Sequence, residues 1–379
     1  MRAFDDGILA LPFYEPEHRE LAQRLTNWCD EHSELWNART DPEKTELNVI
    51  RALGEDGWLS PEADFRSLCL VREALAYADD LADYAFSIQA LASIPLLRHG
   101  SPSQKERHLP ALTRGERVVA FALSEEQAGS DVAAIALRAD QTPGGYVLNG
   151  RKAWVANGGI ADLYCVVART GEGPGALGLT AFLVPATTPG LHVREKIAVI
   201  APRALAHLAF DNCEVPSDSV LGRPGHGFVI AMDVLDRFRM TVGAAALGFA
   251  RRAADAALSR SADRPIYDGR LIDLPTIRAT LADTEVKLNA AALLVARAAW
   301  ELDNGRRFAR HSSIAKLYAT ESAQEIIDAA LQIFGAAGLV SDSVTERLYR
   351  QIRSLRIYEG TSEIQRAVIA QSLDLRRAE

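Results

Sequence analysis

The sequence is poor in the features that mark several specialised protein classes. Its 379 residues include only four cysteines, Cys29, Cys69, Cys165 and Cys213. Their spacing contains no CxxC pair of the kind that binds zinc or acts as a redox centre, so we expect no metal site and no disulfide framework. The sequence also lacks any run of 18 apolar residues, which predicts that no helix spans a membrane.

Basic residues are also fewer than acidic residues. Lysine and arginine total 42 against 50 aspartate and glutamate residues, a formal net charge of −8. An acidic surface argues against general binding to nucleic acid or to anionic membranes. The first seven residues contain two aspartates and lack the basic and apolar regions of a targeting peptide, so we expect a cytoplasmic protein. With 16 prolines and 26 glycines, the composition is that of a globular chain of two or three domains.

The hydrophobic periodicity changes twice along the chain. Apolar residues recur every three to four positions in Glu17–His32 and in Asp64–Leu97, which predicts helices. Short runs of strand-forming residues follow, separated by Gly, Pro and Asp. The predicted strands are Val118–Leu123, Tyr146–Val155 with a turn at Asn149-Gly150, Leu163–Ala168, Thr180–Val184 and Leu205–Phe210. The later segments predicted as helices are Phe228–Ser259, Leu274–Asn304, Arg310–Phe334, Ser341–Arg353 and Ser362–Leu373.

Two segments of the strand-rich region have the composition of ligand-binding loops. In Leu123–Val132, Gly129 permits a close approach of the backbone to a ligand, and Ser130 offers a hydroxyl, although the same residues could form an ordinary turn. The second segment, Trp154–Gly159, reads Trp-Val-Ala-Asn-Gly-Gly. Its Trp154 could fill a core or, beside the first loop, form a wall of a planar cofactor site.

A third segment, Ile357–Gln365, reads Ile-Tyr-Glu-Gly-Thr-Ser-Glu-Ile-Gln. Thr361 or Ser362 has the composition of a helix N-cap, and Glu359 could then be a solvated acid that precedes the helix. The segment follows a stretch with four arginines, Arg347, Arg350, Arg353 and Arg356. This setting makes Glu359 a candidate for a chemical role.

These segments, together with Phe210–Pro216, occur in the order seen in the acyl-CoA dehydrogenase family of flavoproteins, which the chain resembles from about Glu55 to Leu373. The resemblance implies an α+β multidomain fold. A helical domain over 1–117 would precede a β-barrel or β-sandwich domain over 118–227 and a four-helix bundle over 228–379. FAD would lie between the last two domains, with part of its site on a neighbouring subunit of a homotetramer or homodimer.

The resemblance also implies a reaction, the removal of two hydrogens from the α and β carbons of an acyl-CoA thioester. Glu359 matches the base that takes the α proton, while the flavin takes the β hydride. The backbone N–H of Glu359 and a ribityl hydroxyl of FAD would stabilise charge on the thioester oxygen. Some family members place the base on the bundle instead, and the matching residue here is Phe238, which cannot accept a proton.

The remaining site residues follow from the same resemblance. Asp236 and Arg239 match residues that hold the pantetheine and nucleotide parts of CoA, although they could form an ion pair on a helix surface. Ser130, Phe238, Tyr358 and Gly360 would complete the substrate site. The FAD contacts would be Phe121, Leu123, Ser124, Gly129, Ser130, Trp154, Ala156, Thr361 and Glu363, with Arg264, Tyr267, Gln332, Gly335 and Gly338 contributed by the neighbouring subunit.

The sequence departs from the family pattern at several of these positions. Ala156 stands where a Thr or Ser hydroxyl commonly bonds the reactive flavin nitrogen, so we expect an altered flavin potential or reactivity. Near Arg264 the aromatic residue is kept as Tyr267, but Asp268 and Pro275 replace a Gly and a Gln. Phe238 is bulkier than the residue of many relatives, which favours a short, branched or cyclic acyl group.

Several alternatives remain open from the sequence. The acyl group could be carried by the phosphopantetheine of a carrier protein rather than by CoA. The chain could be an oxidase or monooxygenase of the same fold, which Glu359 disfavours and Ala156 permits. A nucleic-acid-binding relative is disfavoured by the negative charge. For the dehydrogenase, the expected electron acceptor is an electron-transfer flavoprotein.

Overall fold

The computed structural model of the chain describes residues 3–37, 41–60 and 63–376. Helices flank a central strand-rich region, in agreement with the predicted order. The α-helices are α1 (Asp6–Leu9), α2 (Pro16–Glu31), α3 (Glu34–Asn37), α4 (Pro42–Glu55), α5 (Phe65–Ala78), α6 (Asp80–His99), α7 (Pro102–Thr113), α8 (Gly227–Asp263), α9 (Pro275–Asp303), α10 (Ala309–Phe334), α11 (Val344–Leu355) and α12 (Ser362–Arg376).

The strands form one large sheet and one small hairpin. They are β1 (Val119–Ala122), β2 (Arg138–Thr142), β3 (Gly145–Ala156), β4 (Leu163–Arg169), β5 (Leu179–Pro185), β6 (Leu191–Lys196), β7 (Leu205–Pro216), β8 (Val220–Leu221), β9 (Pro265–Ile266) and β10 (Gly269–Arg270). The large sheet has the order β6-β7-β3-β2-β4-β5-β8, and β1 pairs in parallel with β4. The hairpin β9–β10 connects α8 to α9.

The chain divides into two compact units that do not coincide with sequential segments. The helical unit consists of the described residues of Met1–Glu34, Ala63–Asp83 and Asp236–Glu379. The sheet unit consists of the described residues of Leu35–Glu62 and Tyr84–Leu235.

The sequences of β4 and β5 are almost continuously apolar because both strands lie in the core of the sheet unit. Nearly every residue of both strands is buried, as expected for strands that are covered on both faces. Leu163, Cys165 and Val167 from β4 pack in one cluster with apolar residues of α6, α7 and the first turns of α8. This packing gives the sheet a rigid base from which the loops that follow β1 and β3 project.

One predicted helix is two helices. The segment Asp64–Leu97 was expected to be continuous, but Asp79 has an extended backbone and separates α5 from α6. Its carboxylate accepts a hydrogen bond from the N–H of Leu81 and pairs with Arg347 of α11, at 2.8 Å and 2.6 Å. An N-cap and a distant ion pair therefore outweigh the local helical preference.

The expected Asn149-Gly150 turn is also wrong. Residues 145–156 form the single strand β3, which pairs with β2 before Gly150 and with β7 on both sides of it. Gly150 has φ +141° and lies at a shift in the β3–β7 register, so it forms a bulge rather than a turn. The hairpin turn instead precedes Gly145, between β2 and β3.

Among the helices of the described part of the chain, none has both the length and the apolar character that crossing a bilayer requires.

Candidate active site

Glu359 lies in the short loop between α11 and α12, and this loop has an unusual backbone. Glu359 has φ +55° and Gly360 has φ +88°. A non-glycine residue in the left-handed region costs about 1–3 kcal/mol and persists only where surrounding contacts hold it. Thr361 then caps α12, with its hydroxyl 3.4 Å from the N–H of Ile364, as the sequence predicted for Thr361 or Ser362.

The contacts that hold this loop come mainly from α10 and α12. The buried ammonium of Lys316 donates to the carbonyls of Tyr358 and Gly360, at 2.6 Å and 2.5 Å. The amide of Gln365 donates to the Gly360 carbonyl at 2.8 Å. The carbonyls on either side of Glu359 are therefore held by charged or polar side chains, which hold the backbone from which the Glu359 side chain projects.

The Oε2 atom of the Glu359 carboxyl is removed from water, although the residue as a whole is half-buried. Burial raises the pKa of Glu359 to about 7, although Arg72, Lys316 and Arg239 act in the opposite direction. Its Oε2 atom is buried and has no hydrogen-bond partner among the described residues. A carboxyl with a raised pKa and a free oxygen can accept a proton near neutral pH, which is the requirement for a general base.

Arg72 and Asp83 form a buried ion pair in the same unit. Their contacts are Nε to Oδ1 at 2.8 Å and Nη2 to Oδ2 at 2.9 Å, and Arg72 Nη1 also donates to Thr241 Oγ1 at 3.1 Å. Both charges act on Glu359, Arg72 by lowering its pKa and Asp83 by raising it. Sequence reasoning did not find this pair, because a charged residue within a helical pattern normally indicates the solvent face.

Arg239 and Phe238 are both buried, and Arg239 forms the i,i+3 ion pair with Asp236 that the sequence allowed. Arg239 Nη1 pairs with the half-buried Asp236 on the same helix, so the contact is not an ion pair on an exposed surface. Phe238 packs edge-to-face on Phe65, with ring centroids 6.1 Å apart. The helical unit thus brings Asp236, Phe238 and Arg239 together on one segment of α8, and Arg239 acts electrostatically on Glu359 and on Lys316.

In the sheet unit, a buried ion pair shapes the loop that follows β1. Lys152 donates from Nζ to Glu125 Oε1 and to the carbonyl of Leu123, both at 2.8 Å. Glu125 also accepts from the N–H groups of Ala136 and Leu137. Burial lowers the pKa of Lys152 to about 8, while Glu125 opposes that shift. The sequence did not predict this ion pair, although Glu125 lies inside the predicted loop Leu123–Val132.

The same loop lies against the end of β3. The N–H of Ala153 donates to the carbonyl of Ser124 at 2.9 Å, which places Ser124 next to Trp154 in the structure. Trp154 has φ +57°, is 55% exposed and contacts His207 edge-on. It therefore does not fill the core. Gly129 is exposed, and a Cβ built on it would meet no atom within 4 Å, so the loop leaves open space there.

The other predicted FAD contacts of the sheet unit have different settings. Leu123 is buried in the core and its carbonyl accepts from Lys152, and Phe121 is half-buried against the same core. Ser130 is exposed and Ala156 is half-buried. Ser124, Gly129, Ser130, Trp154 and Ala156 thus belong to one connected region, the β1 loop and the end of β3.

The residues assigned to the FAD of a neighbouring subunit lie far from Glu359 along the helical unit. Gln332 and Gly335 are exposed at the end of α10, on the order of 24 Å beyond Lys316 at 1.5 Å per residue. Tyr267 is 90% exposed in the β9–β10 hairpin, and Arg264 beside it is exposed. At Gly338, packing accounts for the glycine, since a Cβ there would lie 2.8 Å from Phe334 Cβ.

Comparisons with known proteins agree on one family. Sequence models for the N-terminal, middle and C-terminal domains of acyl-CoA dehydrogenases match residues 15–116, 120–213 and 225–373. The short-chain specific acyl-CoA dehydrogenase of Rattus norvegicus mitochondria is 41% identical, over 98% of this chain and 94% of that protein.

Solved structures show the same similarity. Butyryl-CoA dehydrogenase from Megasphaera elsdenii is 30% identical, with a TM-score of 0.88 over 95% of this chain and 98% of that one. The prolyl acyl carrier protein oxidase AnaB is 27% identical, with a TM-score of 0.89 over 95% and 99%. A dehydrogenase and a carrier-protein oxidase are therefore both among the similar structures.

Proposed function

Because the chain belongs to the acyl-CoA dehydrogenase family, we propose that it oxidises a short acyl-CoA to the 2-enoyl-CoA, with Glu359 as the base that removes the α proton. The observation that carries this proposal is the buried Oε2 of Glu359, which lacks a hydrogen-bond partner among the described residues. An α C–H is a very weak acid, so its removal needs a base of raised proton affinity and a stabilised thioester oxygen. Glu359 has the first property.

The residues present fit an FAD cofactor. Trp154 offers an exposed indole to a planar ring, and the Ser124 and Ser130 hydroxyls lie on the adjoining loop. Gly129 and Gly335 both leave open space where a Cβ would be, so a ligand can approach the backbone at each. When bound, FAD would supply the hydride acceptor. The contributions of the chain are to hold the ring, orient the thioester and exclude water from Glu359.

For the substrate, we assign Asp236 to the pantetheine portion of CoA and Arg239 to the acyl end, in place of the nucleotide contact that the resemblance implied for Arg239. Asp236 is partly exposed, so its carboxylate can accept a hydrogen bond from an amide. Arg239 is almost fully buried and acts on Glu359, which favours a place close to the reacting carbons. Phe238 occupies buried volume beside it, which supports a short acyl group, as does the 41% identity to a short-chain enzyme.

The proposed electron acceptor is an electron-transfer flavoprotein, and the proposed assembly is a homotetramer or homodimer. Three large apolar side chains at the far end of the helical unit, Tyr267, Leu339 and Val340, are more than half exposed. Covering these residues with a second copy would remove apolar surface from water. Sedimentation of the purified holoprotein would measure the assembly, and a monomer at micromolar concentration would contradict it.

The test of the function is anaerobic reduction of the protein-bound flavin. The purified protein should be yellow and should bleach with butyryl-CoA or another short acyl-CoA. The Glu359→Gln variant should fold and bind FAD but lose the reaction by several orders of magnitude. Bleaching at a near-normal rate in that variant would sink the assignment of Glu359.

A second candidate is the same chemistry on a carrier-protein thioester, with or without oxygen as acceptor. The similarity to AnaB and the absence of a hydroxyl at Ala156 favour it. A carrier protein loaded with the same short acyl group distinguishes the two. If the loaded carrier saturates the reaction rate and free acyl-CoA does not, the substrate is the carrier-bound thioester. Formation of hydrogen peroxide during turnover in air would identify an oxidase.

A further inference from the structure

Lys316 is buried in the first third of α10, and its side chain is directed at the loop of Glu359. Its ammonium donates to the carbonyls of Tyr358 and Gly360, which are the residues on either side of Glu359. A lysine is seldom fully buried without a carboxylate in direct contact. In the described part of the chain, this ammonium contacts those two backbone oxygens and forms no ion pair with a carboxylate. The ammonium of Lys316 instead donates its hydrogen bonds to backbone carbonyl oxygens.

The loop needs such contacts because its backbone is strained. Glu359 is held at φ +55°, a conformation that a glutamate leaves readily when nothing opposes the change. Glu321, further along α10, accepts from Arg356 Nη2 at 2.7 Å and from the hydroxyl of Ser362, so it fixes the two ends of the loop. Lys316 fixes the middle. Helix α10 therefore holds the loop at several points, and its Lys316 contacts lie on the two sides of Glu359 itself.

Several charges act on Glu359, with Arg72 the strongest cation, and Lys316 is the cation among them whose contacts are to backbone oxygens rather than to a carboxylate. The groups that act on Glu359 are Arg72 of α5, Asp83 of α6, Arg239 of α8 and Lys316 of α10. Arg72 is paired with Asp83, and Arg239 is paired with Asp236. Burial lowers the pKa of Lys316, while Glu359 opposes that shift. An ammonium that stays charged here favours the carboxylate form of Glu359.

We propose that Lys316 is a positioning residue for the reaction, which holds the backbone on both sides of Glu359 and adds to Arg72 a second positive charge that favours its carboxylate before proton transfer. This inference rests on the proposed function. In that step the α C–H bond breaks, an O–H bond forms on Glu359, and the Lys316 ammonium keeps its three protons. Lys316 acts through Glu359 and need not touch the substrate.

The experiment uses the FAD-loaded protein with two substitutions at position 316. Lys316→Met removes the charge and the donors at similar volume, whereas Lys316→Gln removes the charge and keeps an N–H donor. Lys287→Met is the matched control, because Lys287 of α9 forms a partly exposed ion pair with Glu325. Two readouts are needed: the rate of anaerobic flavin reduction by a short acyl-CoA against pH, and hydrogen–deuterium exchange of the peptide that spans 354–364.

In Lys316→Met, we expect faster exchange in that peptide and flavin reduction slowed by roughly 100-fold at neutral pH, as a misplaced catalytic group produces. Without the cation the proton affinity of Glu359 rises, so the ascending limb of the pH profile should move up by about one unit. Lys316→Gln should show the same pH shift with less change in exchange. Lys287→Met should match the wild type in both readouts.

Wild-type exchange and a wild-type pH profile in Lys316→Met would overturn the inference. If Lys316→Met does not fold, Lys316→Gln decides, since an unshifted profile in that variant removes the electrostatic role. Failure of the proposed function would give a different result. In that case no acyl thioester would reduce the flavin of the wild-type protein, or Glu359→Gln would react at the normal rate.

Discussion

Arg72 and Asp83 meet in a two-point ion pair, with both N–O distances below 3.0 Å, and both side chains are buried in the helical unit, where their charges act on Glu359. Charges in such a place affect both the stability of the fold and the proton affinity of the candidate base. The pair therefore connects the packing of α5 and α6 to the chemistry at the end of α11.

We expect Asp83→Asn to destabilise the protein and to make Glu359 a stronger acid. Removal of one partner of a buried pair leaves an uncompensated charge, which costs about 3–5 kcal/mol of unfolding free energy. Loss of the anion also lowers the pKa of Glu359, so the ascending limb of flavin reduction against pH should move down. Denaturant unfolding and stopped-flow reduction measure the two effects. The double change Arg72→Met/Asp83→Leu should recover much of the stability. In Asp83→Asn, an ascending limb of flavin reduction that moves to higher pH would contradict the electrostatic account.

Substitution of Glu359 by glycine should abolish flavin reduction without destabilising the fold. Glycine accepts φ +55° without the steric cost that glutamate bears, a gain of up to about 1 kcal/mol. Glu325→Gly in the interior of α10 is the matched control, since an exposed helical glycine costs about 1 kcal/mol. A loss of stability in Glu359→Gly as large as in the control would show that the loop is not strained.

The raised pKa of Glu359 also predicts a pH dependence of stability. The folded state binds this proton more tightly than the unfolded chain, so the stabilising contribution is fully present below the unfolded pKa, near 4.5, and is lost as the pH rises through about 7. Glu359→Gln removes this dependence. The melting temperature of the variant should therefore rise relative to wild type between about pH 4.5 and 7, and a constant difference across that range would exclude the shift.

Lys152→Met should weaken FAD binding by releasing the β1 loop. Glu125 would lose its buried cation while the N–H groups of Ala136 and Leu137 still approach it, at a cost of about 3–5 kcal/mol. The matched control is Lys196→Met, because Lys196 pairs with Glu43 at the surface of the same unit. Retained FAD per protomer after gel filtration is the measurement. Full occupancy in a folded Lys152→Met protein would show that the pair does not shape the cofactor site.

Phe238→Ala should move the substrate preference toward longer acyl groups. The change removes a buried ring that packs on Phe65 and costs about 3–5 kcal/mol of stability. The measurement is the ratio of kcat/KM for a long and a short acyl-CoA, which should increase. Phe249→Ala, also buried on α8, should cost similar stability and leave the ratio unchanged. Equal ratios in the two variants would show that Phe238 does not limit the acyl pocket.

Ala156→Thr should shift the midpoint potential of the bound flavin. A hydroxyl at this half-buried position can add one hydrogen bond to the flavin, worth about 0.5–1.5 kcal/mol. Since roughly 30 mV corresponds to 1.4 kcal/mol for two electrons, the shift should be on the order of 10–30 mV. Potentiometric titration of both proteins measures it, and Ala156→Ser should behave as the threonine variant does. Identical potentials in all three proteins would dismiss any role for this position.

Much of the fold was predictable because the information is local. The period of apolar residues identified the long helices from Phe228 onward, and strand-forming runs identified β1, β4 and β5. Two predictions failed where distant contacts decide the backbone. The continuous helix over Asp64–Leu97 breaks because Asp79 caps α6 and pairs with Arg347, and the expected turn at Gly150 is a bulge because β7 pairs along both sides of it.

The sequence alone determined the absence of specialised cysteine patterns, the helical–β–helical order, the family resemblance and the choice of Glu359, since each depends on residue types at short spacing. Only the tertiary structure brought Arg72, Asp83, Arg239 and Lys316 together around that glutamate, and Lys152 against Glu125. Desolvation and Coulomb interactions depend on distance in space rather than along the chain. The shortage of positive charge noted in the sequence thus takes on a different meaning, because several of the cations that matter most are buried beside the candidate base.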